Sequence, residues 1–529
     1  MTARRPPGAG SRSTLADRLR AVLALAAGAG TVFGFAPFGL AGVPLVSLAL
    51  LFGLWQAAAS ARAAAWLGFC FGLGLFGAGA SWVYIALNTF GGMPAVVAGI
   101  GTAIWTAYLA LFPALAGWLA TRWTAPGSVP RALAAAALWT LAEWTRSTGY
   151  TGFPWLVLGN SQLPVPAGWA SPLAGYAPLG GVWLVTLAVV SCAGALALAV
   201  DAFAAPARGR GLAFLLGAVA IAGGGALAAR IEWTAPAGAP VTVSLLQGNV
   251  AQDVKFARDV REDTFRLYAD LVDASRGRLV VLPESAYPMF AAEVPDRVLQ
   301  HLARTAAARD GDVLAGMFTA DPPLPGRDDI RYYNSVVSLG AADVQLYRKR
   351  HLVPFGETIP LEPVVGWFIR SVLAIPLADQ ASGEPGQPPF TAAGQRVAVN
   401  ICYEDAFGDE LRAQARDATL LVNVTNDAWY GRSLAAEQHN QIAAMRALES
   451  GRAMLRATNT GITSAIDHRG RELARLPWFT RGILEVEITG RQGTTPYVRW
   501  GDALAIGLAV LLLATAFILA ISRRSAVQP

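Results

Sequence analysis

The 529-residue chain is 54% hydrophobic and only 15% charged, with a net charge of +6 and a mean hydropathy of +0.41, a balance that excludes an ordinary soluble globule. The modest basic excess sits in short loops beside apolar segments, so it reads as a topology signal and not as a nucleic-acid-binding surface. The length accommodates a helical membrane part together with one folded domain of roughly 250 residues.

Seven apolar segments, a long mixed stretch and an eighth apolar segment follow in chain order, and about 20 apolar residues are needed to cross the hydrocarbon core. The spacing predicts membrane helices at Ala21 to Phe38, Val43 to Ala61, Ala64 to Leu87, Met93 to Ala120, Ala132 to Ala142, Pro178 to Val200, Leu212 to Ala229 and Ala503 to Ile521. The fifth is short and runs into Glu143, so it spans only by continuing through Trp144. Arg4, Arg5, Arg12, Arg18 and Arg20 precede the first segment, and Arg62, Arg122, Arg131, Arg208, Arg210, Arg523 and Arg524 follow the second, fourth, sixth and eighth. The intervening short loops carry almost no basic residues, which predicts cytoplasmic termini and an outward-facing middle stretch. The basic start is too long, and too well continued by further spans, to read as a cleaved signal. The expected division is a membrane domain at 1–235, an exported domain at 236–495, and a last helix with a short tail at 496–529.

The exported stretch alternates strand-like and helical runs. Strands are predicted at Val241 to Leu246, Arg278 to Leu282, Val313 to Phe318, Asn334 to Leu339, Val397 to Ile401, Thr419 to Val424 and Ile483 to Ile488, with a long helix at Leu434 to Leu455. That order suggests a layered α/β sandwich. Cys70 and Cys192 lie in apolar segments, so no disulfide framework is available and Cys402 is the one thiol of the mixed stretch.

Three pieces of this stretch carry chemistry. Glu284 follows an apolar run and a proline, Lys349 and Glu357 flank His351-Leu-Val-Pro-Phe-Gly, and Cys402 ends a third apolar run. Taken singly, a loop glutamate is a solvated charge, a lysine among arginines is a surface face, and a lone cysteine is a small core residue. Together they supply a base, a cation and a nucleophile, because a thiol needs a nearby base or positive charge to react as thiolate. Glu143 and Arg146, spaced i, i+3, suit mutual neutralisation at a helix end or a headgroup contact. Trp82, Tyr84, Trp144 and Trp155 suit an interfacial aromatic belt, and Arg446, Arg452 and Arg456 suit structural roles. Asn426 and Trp429 fit either a wall of an acyl pocket or ordinary turn chemistry.

At Glu284, Lys349 and Cys402 the chain resembles the nitrilase superfamily, with its Glu-Lys-Cys triad. With apolar helices on both sides, and with Gly152-Phe-Pro-Trp155, Gln247-Gly-Asn249, His351-Leu-Val-Pro-Phe-Gly-Glu357, Asn426-Asp-Ala-Trp-Tyr-Gly431 and Arg446-Ala-Leu-Glu449, it resembles more narrowly the bacterial apolipoprotein N-acyltransferases. The resemblance implies about eight transmembrane helices plus an αββα sandwich on the periplasmic face of the inner membrane. It implies that Cys402 takes the sn-1 acyl chain of a phospholipid, phosphatidylethanolamine being the expected donor, as a thioester. The amine of a diacylglyceryl-modified N-terminal cysteine of an apolipoprotein then receives it by ping-pong kinetics. It further implies that Glu284 is the base, that Lys349 and the Tyr403 N–H bind the oxyanion, and that Glu357 and Glu404 complete the network. No metal or cofactor is expected, nor a nucleic-acid partner, and the chain is expected to act as a monomer.

The apolar segment Val364 to Leu377, with Trp367 and Phe368, suits either a membrane-facing lid over an acyl channel or a core helix. Where the family would have tryptophan after Lys255, this chain has Phe256, which keeps an aromatic ring and loses the indole donor. Two rivals remain from the sequence: a membrane-tethered nitrilase-type amidase acting on a small exported substrate, and a transporter or scaffold with a sensor domain. The second would need ionisable residues along its spans, and few are present.

Overall fold

The computed structural model describes residues 10–149, 152–164, 171–205, 207–255, 260–322, 330–358 and 380–525. Helices occupy all eight apolar regions: α1 (Gly10–Thr31), α2 (Gly42–Gln56), α3 (Ala61–Gly79), α4 (Ala95–Arg122), α5 (Val129–Thr148), α6 (Ala177–Ala204), α7 (Arg208–Ala228) and a C-terminal helix, Ala503–Ser525. Five regions, Ala61–Gly79, Ala95–Arg122, Pro172–Ala204, Arg208–Ala228 and Ala503–Ser522, are long and apolar enough to cross a membrane.

The helix α5 runs to Thr148, well past the expected Ala142. It is started by the Ser128 side chain, which accepts from the Arg131 N–H, and by Pro130 in its first turn. Its two charged residues near the end bind the following segment: Arg146 donates to the carbonyls of Phe153 and Trp155, and Glu143 accepts from the Leu158 N–H at 3.3 Å. Their role is therefore to satisfy buried backbone, not only to offset each other. In contrast, α3 stops at Gly79, short of the expected Leu87, and the chain continues through a turn at Val83–Ile85 and a π-helical turn at Ala86–Phe90. π-Helical turns concentrate at functional sites, and this one lies against the sandwich described next.

Thirteen strands build the αββα sandwich: β1 (Val241–Gln247), β2 (Leu279–Val281), β3 (Tyr287–Phe290), β4 (Asp312–Ala320), β5 (Tyr332–Gly340), β6 (Gln345–Arg348), β7 (Phe390–Ala392), β8 (Gln395–Ile401), β9 (Leu420–Thr425), β10 (Ala453–Thr458), β11 (Ser464–Ile466), β12 (Glu472–Arg475) and β13 (Gly482–Ile488). One sheet has the order β13-β1-β2-β4-β5-β6, with β3 beside β4; the other has the order β12-β11-β10-β9-β8-β7. Val243, Leu245, Val281 and Leu314 of the first sheet pack against Val399, Ile401, Val422 and Leu455 of the second in one buried cluster. Each such side chain contributes roughly 1.5–3 kcal/mol through burial.

Helices α8 (Arg261–Ala274) and α9 (Asp296–Ala307) cover the outer face of the first sheet. The outer face of the second sheet, with Ala398, Leu421 and Met454, is covered by α10 (Gly408–Ala415) and α11 (Ala435–Ser450) and is continuous with the buried core of the apolar helices. The sandwich and the apolar helices therefore share one hydrophobic core. The helix expected at Leu434 to Leu455 ends early because Gly451 takes a left-handed conformation, φ 65°. The chain then re-enters the sheet as β10, whose six residues are all buried.

Candidate active site

The candidate residues meet where several strands end. Glu284 sits in the turn after β2, Lys349 directly follows β6, and Cys402 directly follows β8. The Glu284 turn presses on β4 at Gly316, where a Cβ would stand 2.4 Å from the Pro283 carbonyl oxygen, so only glycine fits. Cys402 has a left-handed backbone, φ 53°, the kind of strain held at functional sites by surrounding contacts. Its carbonyl accepts from Asn423 Nδ2 at 3.1 Å and faces His439 Nε2 at 3.3 Å.

Lys349 is fully buried, and its Nζ lies 2.7 Å from Glu357 Oε1 and 3.6 Å from Glu284 Oε1. Burial opposes the Lys349 ammonium, but Glu357 and Glu284 outweigh it and hold the amine protonated. Asn334 Nδ2 donates to Glu284 Oε1 at 2.7 Å, which fixes the carboxylate. Burial, reinforced by Glu284 and opposed by Lys349, pushes the Cys402 thiol well above its ordinary value. The thiol is thus protonated at rest, and an attack from it requires a base at the moment of bond formation.

Glu357 also accepts from the Val353 N–H at 2.8 Å, closing the loop around Lys349. Glu404 accepts from the backbone N–H of Ile401 and of Arg350, each at 2.6 Å, and from the Tyr347 hydroxyl at 3.0 Å. It thereby ties the lysine segment to the cysteine turn without touching the lysine. Burial raises the Glu404 carboxyl to about 7 against those donors. The Tyr403 hydroxyl donates to the Gly152 carbonyl at 2.8 Å, joining the cysteine turn to the membrane half.

Asn426 donates to Gln252 at 2.7 Å and accepts from Asn459 at 3.1 Å, so its side chain braces the segment that leads to Lys255. Trp429 is 42% exposed and meets Phe90 of the π-helical turn edge-on. Phe256, Trp367 and Phe368, with the expected lid, lie outside the described residues. Trp82 and Trp155 are not belt residues. Both are buried, and both indole N–H groups donate to Gln438 Oε1, at 3.2 and 2.7 Å. The arginines make buried structural contacts: Arg446 pairs with Glu449, Arg452 donates to the Ala418 and Gly493 carbonyls, and Arg456 pairs with Asp405.

Sequence reasoning missed Lys255 as a site residue. It is buried and donates from Nζ to the Glu284 carbonyl at 3.0 Å, and burial pushes its ammonium down to about 8 against the pull of Glu284. Its place just after the Gln-Gly-Asn segment was the available signal. Asn334, at the start of an unremarkable strand, offered none.

Residues 27–195 match the family model for the apolipoprotein N-acyltransferase N-terminal domain, and residues 242–497 match that for carbon-nitrogen hydrolases. The apolipoprotein N-acyltransferase of Nitrosomonas europaea is 48% identical to this chain over 96% of it and 98% of its own length. The chain belongs to the apolipoprotein N-acyltransferase family. The Methylococcus capsulatus and Ralstonia nicotianae apolipoprotein N-acyltransferases are each 43% identical, over 94% and 96% of this chain and 95% and 96% of their own lengths. The likeness covers the apolar helices as well as the sandwich, so the tethered-amidase reading, which needs only the sandwich, is not favoured. Five helices long and apolar enough to cross a membrane stand beside the carbon-nitrogen-hydrolase-type domain, as suits an inner-membrane acyltransferase.

Proposed function

We propose that Cys402 attacks the sn-1 ester of a phospholipid, with phosphatidylethanolamine as the donor, and retains the acyl chain as a thioester. Glu284 takes the thiol proton during attack and returns it to the departing lysophospholipid alkoxide. Lys349 and the Tyr403 N–H stabilise the oxyanion of the tetrahedral intermediate, since a buried fixed cation acts strongly where charge develops. The α-amine of a diacylglyceryl-modified apolipoprotein cysteine then attacks the thioester while Glu284 accepts its proton and passes it to the departing sulfur, so Cys402 leaves as the thiol and Glu284 is again free to act as base. The kinetics are ping-pong.

The observation that carries this reading is the buried Lys349 held between Glu284 and Glu357 beside a left-handed cysteine. Glu357 and Glu404 position the lysine and the cysteine turn. Asn426 and Trp429, with Phe256, Trp367 and Phe368, are assigned to the substrate path. The domains divide at 235 and 495, eight helices span the inner membrane, both termini are cytoplasmic, and a monomer carries out the reaction on the periplasmic face. The test is a proteoliposome assay with phosphatidylethanolamine and a diacylated lipopeptide. Wild-type protein triacylates the peptide and Cys402→Ser does not; triacylation by the variant would overturn the assignment of the nucleophile.

A further inference from the structure

Behind the cysteine turn lies a second polar cluster that the proposed mechanism leaves unused. His439 of α11 is buried with both ring nitrogens against carboxylates: Nε2 is 2.9 Å from Asp405 Oδ1, and Nδ1 is 2.8 Å from Asp427 Oδ1. Arg456 of β10 is 2.5 Å from the other Asp405 oxygen and 3.7 Å from the other Asp427 oxygen. All four side chains are at most 1% exposed.

An ionised carboxylate only accepts hydrogen bonds, so a ring with both nitrogens facing carboxylates must carry a proton on each. Two carboxylates, one guanidinium and one imidazolium then sum to zero charge, the condition under which such a group can be buried. Burial disfavours the His439 charge, but Asp405 and Asp427 outweigh it and raise the imidazole to about 9.

The cluster ties together three adjacent strands. Asp405 lies in the same 3-10 turn as Cys402, after β8. Asp427 lies in the turn after β9, and Arg456 lies in β10. His439 Nε2 also faces the Cys402 carbonyl, and the Trp155 ring of the membrane half lies over His439 at 5.4 Å.

We propose that His439, as an imidazolium between Asp405 and Asp427, is a positioning residue for Cys402 that fixes the left-handed turn and hence the line of attack of the thiol. This rests on the reading of Cys402 as the acylated nucleophile. A neutral residue at 439 frees the turn to relax, and a misplacement of about 1 Å at a reacting atom costs roughly 100-fold in rate.

The test is single-turnover acylation of Cys402 in His439→Gln and wild-type protein, with phosphatidylethanolamine vesicles in excess and acyl-enzyme read by intact mass. The expected result is a rate constant lower by roughly 100-fold with the half-saturating lipid concentration unchanged, because only the nucleophile is misplaced. Wild-type and variant rates that agree would overturn the inference and leave the proposed function standing. No acylation in the wild type would overturn the proposed function itself. Nitrogen-15 NMR of labelled histidine in the wild type keeps the test open if the variant fails to fold. At pH 7.5 the expected His439 signals are two protonated ring nitrogens, and a neutral tautomer would overturn the inference.

Discussion

Replacing Lys349 with methionine keeps the length of the side chain and removes its charge. At an effective dielectric of about 20, the separations of 2.7 and 3.6 Å correspond to gross attractions of roughly 6 and 5 kcal/mol. Desolvating the ammonium takes back several kcal/mol, so breaking the cluster is expected to cost about 3–5 kcal/mol of stability. Glu284 and Glu357 keep only neutral donors, from Asn334 and Val353. Because Lys349 is held protonated above its ordinary value, its contribution is fully present below about pH 10.4 and is lost only as the pH rises through the folded value. The stability deficit of Lys349→Met is therefore expected to be flat between pH 6 and pH 9. If Lys349 is the oxyanion cation as proposed, its loss should lower the acylation rate by a further 10²–10³-fold, roughly. The assay pairs thermal melting in detergent across that pH range with single-turnover acylation well below the melting temperature. Normal acylation by a folded Lys349→Met protein would refute the role given to this lysine.

Glu284→Gln keeps the bond to Asn334 possible but removes the proposed base, so acylation should fall by roughly 10²–10⁴-fold while phospholipid binding in a vesicle co-sedimentation assay is retained. Gln438→Ala leaves the indole N–H groups of Trp82 and Trp155 and the Gly79 carbonyl without their partner. Each orphaned group costs about 1–3 kcal/mol, to be read as a lowered melting temperature of the detergent-solubilised protein. For Lys255, the folded chain releases its proton near about 8 and the unfolded chain near about 10.4, so unfolding takes up a proton between these values. Wild-type stability should rise relative to Lys255→Met by about 1.4 kcal/mol per pH unit across that window, and equal pH slopes in denaturant titrations would contradict the burial of its charge.

The parts of this architecture that show in the sequence are those set by local pattern. Glu284 and Cys402 each follow an apolar run that must be a buried strand, whereas Lys349 follows the mixed run Gln345–Arg348 and shows only through the motif around it, and the eight apolar segments set the helices. What could not be read depends on partners far along the chain. Trp82 and Trp155 look like interfacial tryptophans until Gln438, more than 280 residues away, is seen to accept from both. The end of α5 at Thr148 depends on backbone supplied by residues 153–158. Strand β10 was hidden because Arg452 and Arg456 continue a helical pattern, and only the left-handed Gly451 breaks it. The cluster around His439 joins residues from four separate elements, and no spacing in the chain announces it.

The central claim, a phospholipid-derived thioester on Cys402, is tested most directly by intact mass spectrometry of the membrane-purified protein after incubation with phosphatidylethanolamine. The account predicts a mass gain equal to one acyl chain that hydroxylamine removes, that Cys402→Ser lacks, and that disappears when a diacylated lipopeptide is added. An adduct that persists in Cys402→Ser, or peptide acylation without any adduct on the wild-type enzyme, would contradict it.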